Sequence, residues 1–581
     1  MRTAPTHIYE FGAFQLDTGD RLLRRLDGTP VVLTPRLFKA LLYMVEHDNT
    51  VLDKERIMEA VWPDSIVEEN NLAQAISKLR QVLGEMPGSD SYIVTVPGRG
   101  YRFVAEVKER ANRMGTTGSQ LQQRKRIAIL PFKPLFPEVK DQALELGMAD
   151  ALITKLSNSR QIIISSVNSV RKYGGLEQDP VAAGRELQVN SILEGNVQRS
   201  GDRIRVTARL VNVADGSSLW AGTFDEKFTD VFGVQDVISQ KVADALALQL
   251  KGEEQQRLTK RYTENIKAYE FYLRGRYHYT RLTPPDILAS IGFYQQSIDS
   301  DPNYALAYFG LADANLSLAF TADVPSKDCL PEAKAAAMKA LEIDESLPEA
   351  HASLAFSIAS FDWDWAVAEK EARRALGLNG NSAIAHFACA HVLSDLARHN
   401  EAASEAAQAI ALEPIFPLFR ALGAMFLHHA GHNDEAYATL QEALDIEPNF
   451  WISHLTLGKV LIQQRKYAEA VAELEKAKEL SHGNSEAIAS IGYAAALAGD
   501  SSKARAVLEE LKGLANQRYV PPFNLALAYH ALASENQAVS ELNRACEERD
   551  VRLRLLKVDP RWNSLRSNLR FLGILKRIGL Q

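Results

Sequence analysis

The sequence predicts a multidomain protein: a small α+β head, an α/β middle segment and a long all-α solenoid. Three observations lead there. From about residue 265 to the end the chain repeats itself with a period near 34 residues. Residues 126–252 alternate short β-type runs with amphipathic stretches, and residues 8–107 read as strands, three helices and a hairpin. A chain of 581 residues is also several times the ~100–200 residues of a typical domain, so more than one folding unit is required.

The period is read from the usually small residue late in each second helix: Ala340, Ala375, Ala409, Ala443, Ala477, Leu511 and Ala545, with successive gaps of 35, 34, 34, 34, 34 and 34 residues. First helices keep nearly the same phase at Leu354, Cys389, Leu422, Leu457 and Ile491. Small residues let paired helices approach closely, and Pro302, Pro414 and Pro448 stand where units begin. An earlier unit phased on Ser297, 43 residues before Ala340, brings the expected total to about eight units over 265–581, with a C-terminal helix after them. A 34-residue period with Leu-Gly or Leu-Ala pairs in several first helices resembles the tetratricopeptide repeat. The resemblance implies stacked helix pairs with a long concave surface for a protein or peptide partner, or for self-association.

Net charge is −7, which excludes a chain that coats nucleic acid through bulk positive charge; any DNA contact must come from one local surface. Cys329, Cys389 and Cys546 lie far apart, so they read as small buried hydrophobes of a reducing compartment rather than a disulfide framework. No run approaches the ~18 uncharged apolar residues of a membrane span, and MRTAPTHIYEFG lacks the apolar core of a signal peptide. The expected location is the cytoplasm, with no membrane contact. There is no GxxxxGK[ST], HExxH or Cys-x-x-Cys. Ser169 and Lys172 form an S-x-x-K string without companion motifs and read as structural. His428, His429 and His432 read as surface polarity rather than a metal site, and the run FDWDW at 361–365 as inter-repeat packing, with peptide binding as its alternative. No enzyme, cofactor or metal is expected.

In the head, Thr34 caps a helix that Pro35 opens, with Leu37, Phe38, Leu41, Leu42 and Val45 as its apolar stripe. A second helix begins at Asp53, buries Ile57, Ala60 and Val61, and stops at Trp62-Pro63. A third starts near Asn70. Its Leu72, Ile76, Leu79 and Leu83 face inward, which turns Asn71, Gln74 and Lys78 outward. Amide side chains pair with adenine edges in the major groove, and lysine or arginine reach guanine or phosphate. Asn70, Ser77, Arg80 and Gln81 flank that surface and are placed to fix register on the backbone. No acidic residue falls between Asn70 and Gln81. Residues 92–96 and 101–107 then form strands about the turn Pro97-Gly98-Arg99-Gly100, placing Arg99 at the tip for a minor groove.

Together, EAVWPDSIVEENNLAQAISKLRQVLGE and YIVTVPGRGYRFVAEV resemble the OmpR-type winged helix, closest to the subgroup without a receiver domain typified by the CadC and ToxR regulators. The resemblance implies double-stranded DNA as partner. Asn70, Asn71, Gln74, Ser77 and Lys78 become base or phosphate contacts, Arg80 a phosphate contact and Arg99 the wing contact. It also implies that loop 63–69 can meet RNA polymerase; Trp62 reads as core, with a DNA contact as its alternative. Many relatives carry arginine where Asn70 and Pro97 stand, so affinity here is expected to lean on a homodimer, on tandem sites, or on the cations Lys108, Arg110, Arg113, Arg124, Lys125 and Arg126 in and just after the polar run 108–125, read as a linker. No receiver precedes the head, so control by aspartyl phosphorylation is not expected.

The middle segment, RIAILPF at 126–132 through a strand after Asp215-Gly216 and a closing helix, resembles the TolB amino-terminal-like domain, a module found between effector domains and tetratricopeptide repeats, including in some nucleotide cyclases. The leading expectation is a transcription regulator. A protein-interaction scaffold and a degenerate cyclase relative are the alternatives, the latter lacking any catalytic domain ahead of the last two modules.

Overall fold

The computed structural model describes all residues except 1–6, 18–21, 26–29, 32, 34, 62–68, 85–91, 97–98, 106, 112–124, 135–140, 158, 160, 175–178, 249–257 and 259. They divide into two compact units, Met1–Arg124 and Lys125–Gln581.

The first unit opens with strands β1 (His7–Phe11), β2 (Phe14–Asp17), β3 (Leu22–Arg25) and β4 (Pro30–Val31). Helix α1 (Pro35–Val45), strand β5 (Val51–Asp53) and helices α2 (Lys54–Val61) and α3 (Glu69–Val82) follow, then β6 (Ile93–Val96), β7 (Gly100–Phe103) and β8 (Val107–Ala111). One sheet runs in the order β4-β3-β2-β1-β8 and a second in the order β5-β7-β6. Leu41, Ile57, Leu72, Ile76 and Leu79 are buried in one core, as the helical spacing predicts; Met44, off the expected stripe, joins them, while Leu42 of that stripe is half-buried. Trp62 and the cap Thr34 lie outside the described residues.

One boundary differs from the sequence reading. The strand expected over 101–107 stops at Phe103, and Val107–Ala111 pairs antiparallel with β1 from Phe11↔Val107 to His7↔Ala111. The first residues of the expected linker are therefore strand. The physical reason is that the outer edge of β1 needs partners for its backbone N–H and C=O groups. An edge strand with one solvent face tolerates the polar sequence Val-Lys-Glu-Arg-Ala that has no apolar period.

Gly100 sits where β7 passes β5: a Cβ there would lie 2.0 Å from the carbonyl oxygen of Leu52. Gly100→Ala must push the two strands apart, and a thermal melt of the chain is expected to show the head losing about 1–3 kcal/mol. An unchanged head transition contradicts this.

In the second unit, β9 (Lys125–Ile129) pairs in parallel with β11 (Ile162–Ile164) and β12 (Ser191–Ser200), and the two-residue β10 (Lys133–Pro134) also joins β12. β12 continues antiparallel through β13 (Arg203–Asn212) to β14 (Ser218–Lys227). Helices Gln142–Leu156 and Val231–Ala245 pack on this sheet. Eight antiparallel helix pairs follow, from Ile266–Tyr279 to Glu535–Glu548, then two 3-10 turns (Val551–Leu555 and Pro560–Leu565) and helix Leu569–Arg577. Every residue that marks the period (Ala340, Ala375, Ala409, Ala443, Ala477, Leu511, Ala545) is 0% exposed, because it lies where a second helix meets its neighbours.

The middle segment and the repeats, read separately from the sequence, share one core that runs from Ile127 to Val551. Helix Ile266–Tyr279 lies against helix Gln142–Leu156, with Arg276 donating to both Asp150 oxygens at 2.9 Å. Gly147 permits the approach: a Cβ there would lie 2.5 Å from Leu273 Cδ2. Further along, Arg126 donates to the carbonyls of Ala411 (3.0 Å) and Leu412 (3.2 Å), and Asn379 to that of Ser157 (3.2 Å). Glu413 accepts from the backbone N–H of Ser166 (2.6 Å) and from Ser169 Oγ (2.5 Å). Ser169 thus helps to anchor Glu413, and Lys172 pairs with Glu186.

Burial pushes the Glu413 carboxyl up to about 7, against hydrogen bonds from Ser169 and Ser166 that lower it. Between its ordinary value near 4.5 and about 7, the native chain holds a proton there that the unfolded chain has lost. Stability therefore falls as pH rises through that window and is level above it. Glu413→Gln should flatten the fall, gaining on the order of 2–3 kcal/mol relative to wild type between pH 5 and pH 8 in denaturant unfolding. Parallel pH profiles for the two proteins would contradict the assignment.

The repeats close on themselves at the C-terminal end. Val551 N–H donates to Ser326 Oγ (3.1 Å), Arg554 pairs with Asp395 (2.6 Å), and Trp365 Nε1 donates to the Ile578 carbonyl (2.8 Å). Trp363 lies under the Arg549 guanidinium at 3.9 Å, so the FDWDW run packs against the C-terminal segment. His428 corrects the surface reading of the histidine group: it is buried, with Nδ1 2.8 Å from Asn433 Oδ1, and burial pushes it down to about 4. His432 is exposed. The three cysteines are free and buried, and burial pushes their thiols up to about 11, 12 and 11 for Cys329, Cys389 and Cys546. Among the described residues no helix is long and apolar enough to cross a membrane, and no group of three metal-ligating side chains is found.

Candidate nucleic-acid interface

Helix α3 is anchored by Leu72 (0% exposed), Ile76 (1%), Leu79 (0%) and, just past its end, Leu83 (4%). With that face fixed, Ser77 and Lys78 are exposed on the other side. Asn70, Asn71 and Gln74 lie on the same helix; their side chains fall outside the described ones. By helical spacing Asn71, Gln74 and Lys78 share one face. Arg99 is exposed in the hairpin turn, closed by its N–H donating to the Val96 carbonyl at 3.1 Å; Pro97 and Gly98 are outside the described residues.

Arg80 does more than the sequence reading gave it. Its Nε and Nη2 donate to the Ile93 carbonyl at 3.1 and 2.8 Å, and Nη2 also donates to Thr95 Oγ1 at 2.9 Å. The guanidinium therefore clamps α3 to β6, the first strand of the hairpin, and fixes the distance between Lys78 on the helix and Arg99 on the turn. A planar fork of donors suits this task better than a lysine. Alongside the phosphate contact expected of it, Arg80 holds α3 and β6 together. Sequence spacing could not show this, because its partners lie 13 and 15 residues further along the chain.

The hairpin is held from behind by an aromatic cluster. Phe11 meets Phe103 edge to face at 5.2 Å, Phe14 meets Tyr92 at 5.7 Å, and Gly12, at φ +53°, lies directly under the Tyr92 ring. Such ring pairs add about 0.5–1.5 kcal/mol each beyond area burial, so the amino-terminal sheet serves as the rigid backing of the hairpin.

Residues 28–103 match the family described as "Transcriptional regulatory protein, C terminal", and residues 427–492 match "Tetratricopeptide repeat". Over 246 residues the chain is 28% identical to Putative adenylate cyclase 3 of Rhizobium meliloti (strain 1021), covering 41% of each chain. Over 348 residues it is 25% identical to Transcriptional regulator HilA of Salmonella typhimurium, covering 59% of each. Over 82 residues it is 37% identical to Transcriptional activator CadC of Escherichia coli (strain K12), covering 14% of this chain and 16% of that protein. The chain thus spans 41% and 59% of the first two relatives' own length. The family match falls on the unit that holds α3 and the hairpin, and the repeat match falls within the helix pairs. The chain carries a winged-helix transcriptional-regulator domain and, separately, a tetratricopeptide-repeat region.

Proposed function

We propose that the chain is a sequence-specific DNA-binding transcription regulator of the OmpR-type, CadC- and ToxR-like group. In this reading α3 enters the major groove with Asn70, Asn71, Gln74, Ser77 and Lys78 toward bases and phosphates, and Arg99 reaches the adjacent minor groove or backbone. The Arg80 clamp between α3 and β6 is the observation that carries the proposal: it sets helix and wing as one rigid reader, so the ordering cost is met in folding rather than in binding. Similarity to HilA and CadC supports the same reading.

Residues 126–252 are proposed as a TolB amino-terminal-like module. The repeats are proposed to take a protein or peptide partner, or a second copy of the chain, that controls the head. No catalytic activity is assigned, and the cyclase name stays with the relative that bears it. In vitro selection of random double-stranded DNA by the full chain should enrich one motif, the same in repeated selections. Recovery of no motif argues for a scaffold. Cyclic-nucleotide synthesis by the purified chain would instead favour the cyclase reading.

A further inference from the structure

Within the second unit the inner faces of the repeats enclose a cavity of about 400 Å³, within the range that takes a small molecule. Successive first helices line it: Phe309, Asp313 and Phe320 on helix Ala305–Thr321, Glu349 and Phe356 on Pro348–Ser357, and Phe387 on Ala383–Asp395. The C-terminal turns contribute Arg552 and Arg554. Apolar side chains, several of them rings, make up most of the wall, so a ligand must bring an apolar body; the charges decide what else it carries.

Each wall cation already has a carboxylate. Arg276 pairs with Asp150 at 2.9 Å, Lys459 with Glu486 at 2.5 Å and Arg554 with Asp395 at 2.6 Å, while Arg552 lies 3.4 Å from Asp550 and 3.5 Å from Glu486. Of the wall acids, Asp150 and Glu486 are in those pairs and Glu413 is held by Ser166 and Ser169. Asp313 and Glu349 remain. Asp313 has the Tyr279 hydroxyl beside it, and neither carboxylate forms an ion pair among the described residues. Burial pushes both carboxyls up, and Asp313 adds to the rise at Glu349.

The two ends of the cavity are separated. Phe320 and Phe356 stand seven residues beyond Asp313 and Glu349 on their respective helices, about 10 Å along the axis. The Arg554 guanidinium stacks over those two rings at 5.1 and 4.9 Å. A cation placed at the acid end is therefore two turns from the nearest of the C-terminal arginines and close to two carboxylates that form no ion pair among the described residues, with Arg276, already paired to Asp150, acting on both.

We propose that this cavity binds a small organic ammonium with an aromatic or similarly bulky apolar body, the ammonium between Asp313 and Glu349 and the body against Phe309, Phe320 and Phe356. The ammonium supplies charge-assisted hydrogen bonds to carboxylates that are otherwise buried at a cost, and the apolar body fills the ring-lined part of the cavity. The inference goes beyond DNA binding and stands whether or not the head reads a sequence.

The test titrates the full chain by calorimetry with 2-phenylethylamine and two isosteres, 2-phenylethanol and 3-phenylpropanoate. The amine is expected to bind at least tenfold tighter than the alcohol, and the carboxylate weakest. Asp313→Asn with Glu349→Gln should bring the amine to the level of the alcohol. If that variant does not fold, the probe series on the wild-type chain decides alone. A phenylalanine-led tetrapeptide amide distinguishes the source of the ammonium: tighter binding than the free amine points to a peptide terminus, weaker binding to a small amine, and both keep the chemistry. Equal binding of amine and alcohol, preference for the carboxylate, or no binding by any probe at millimolar concentration overturns the proposal.

Discussion

Arg561→Ala is expected to destabilise the second unit by about 3–5 kcal/mol, because it strips the partner from buried charges. Arg561 is 1% exposed and donates to Asp559 Oδ2 at 2.6 Å and to Ser490 Oγ at 3.0 Å, with Glu486 at 3.6 Å. The guanidinium holds the Asp559 carboxyl far below the usual carboxylate range despite burial. Without it, Asp559 and Glu486 keep Lys459 and Arg552 nearby, but Asp559 loses its only fork of donors. Arg561→Met combined with Asp559→Leu, which removes both charges, should lose much less than the single change. The check is denaturant unfolding of the three proteins. A single variant within 1 kcal/mol of wild type would show that the C-terminal turns contribute little to closing the repeats.

The second large effect concerns the head. Arg80→Ala is expected to lower DNA affinity at least tenfold and also to lower the melting temperature of the head, since three hydrogen bonds between α3 and the hairpin go with it. Each net bond to a charged donor contributes about 1.5–3 kcal/mol. Lys78→Ala should behave differently: affinity falls, stability holds, and the slope of log affinity against log salt drops by about 1, the mark of one lost phosphate contact. Arg80→Lys restores charge but not the planar fork, so it should recover little of the stability. If Arg80→Ala and Lys78→Ala are indistinguishable in stability and salt slope, the clamp is not what positions the reader.

The repeats were legible because packing forces small residues at a fixed spacing, and those residues are the ones found fully buried, Ala340 through Ala545. The inward stripe of α3 was legible for the same reason: Leu72, Ile76 and Leu79 obey the helical period. What escaped was side-chain and strand pairing that no local pattern encodes. Arg552, Arg554 and Arg561 look like solvated charges in sequence, yet each is buried against a carboxylate, that of Arg554 159 residues away. Val107–Ala111 has no apolar pattern, and only the open edge of β1 makes it a strand. His428 reads as part of a polar cluster, yet it is buried with its Nδ1 against Asn433 Oδ1. In the candidate site, spacing identified which residues share the outward face of α3, while the role of Arg80 depended on a hairpin whose register the sequence does not encode locally.

Reading of DNA by α3 and the hairpin is open to a single titration. The full chain is measured against DNA carrying its selected motif, at 50 and 200 mM salt, as wild type and with Lys78→Ala plus Arg80→Ala. The account predicts tight binding that weakens steeply with salt through counterion release, and at least a hundredfold loss in the double variant. Binding of wild type and variant with the same affinity and the same salt dependence would contradict it.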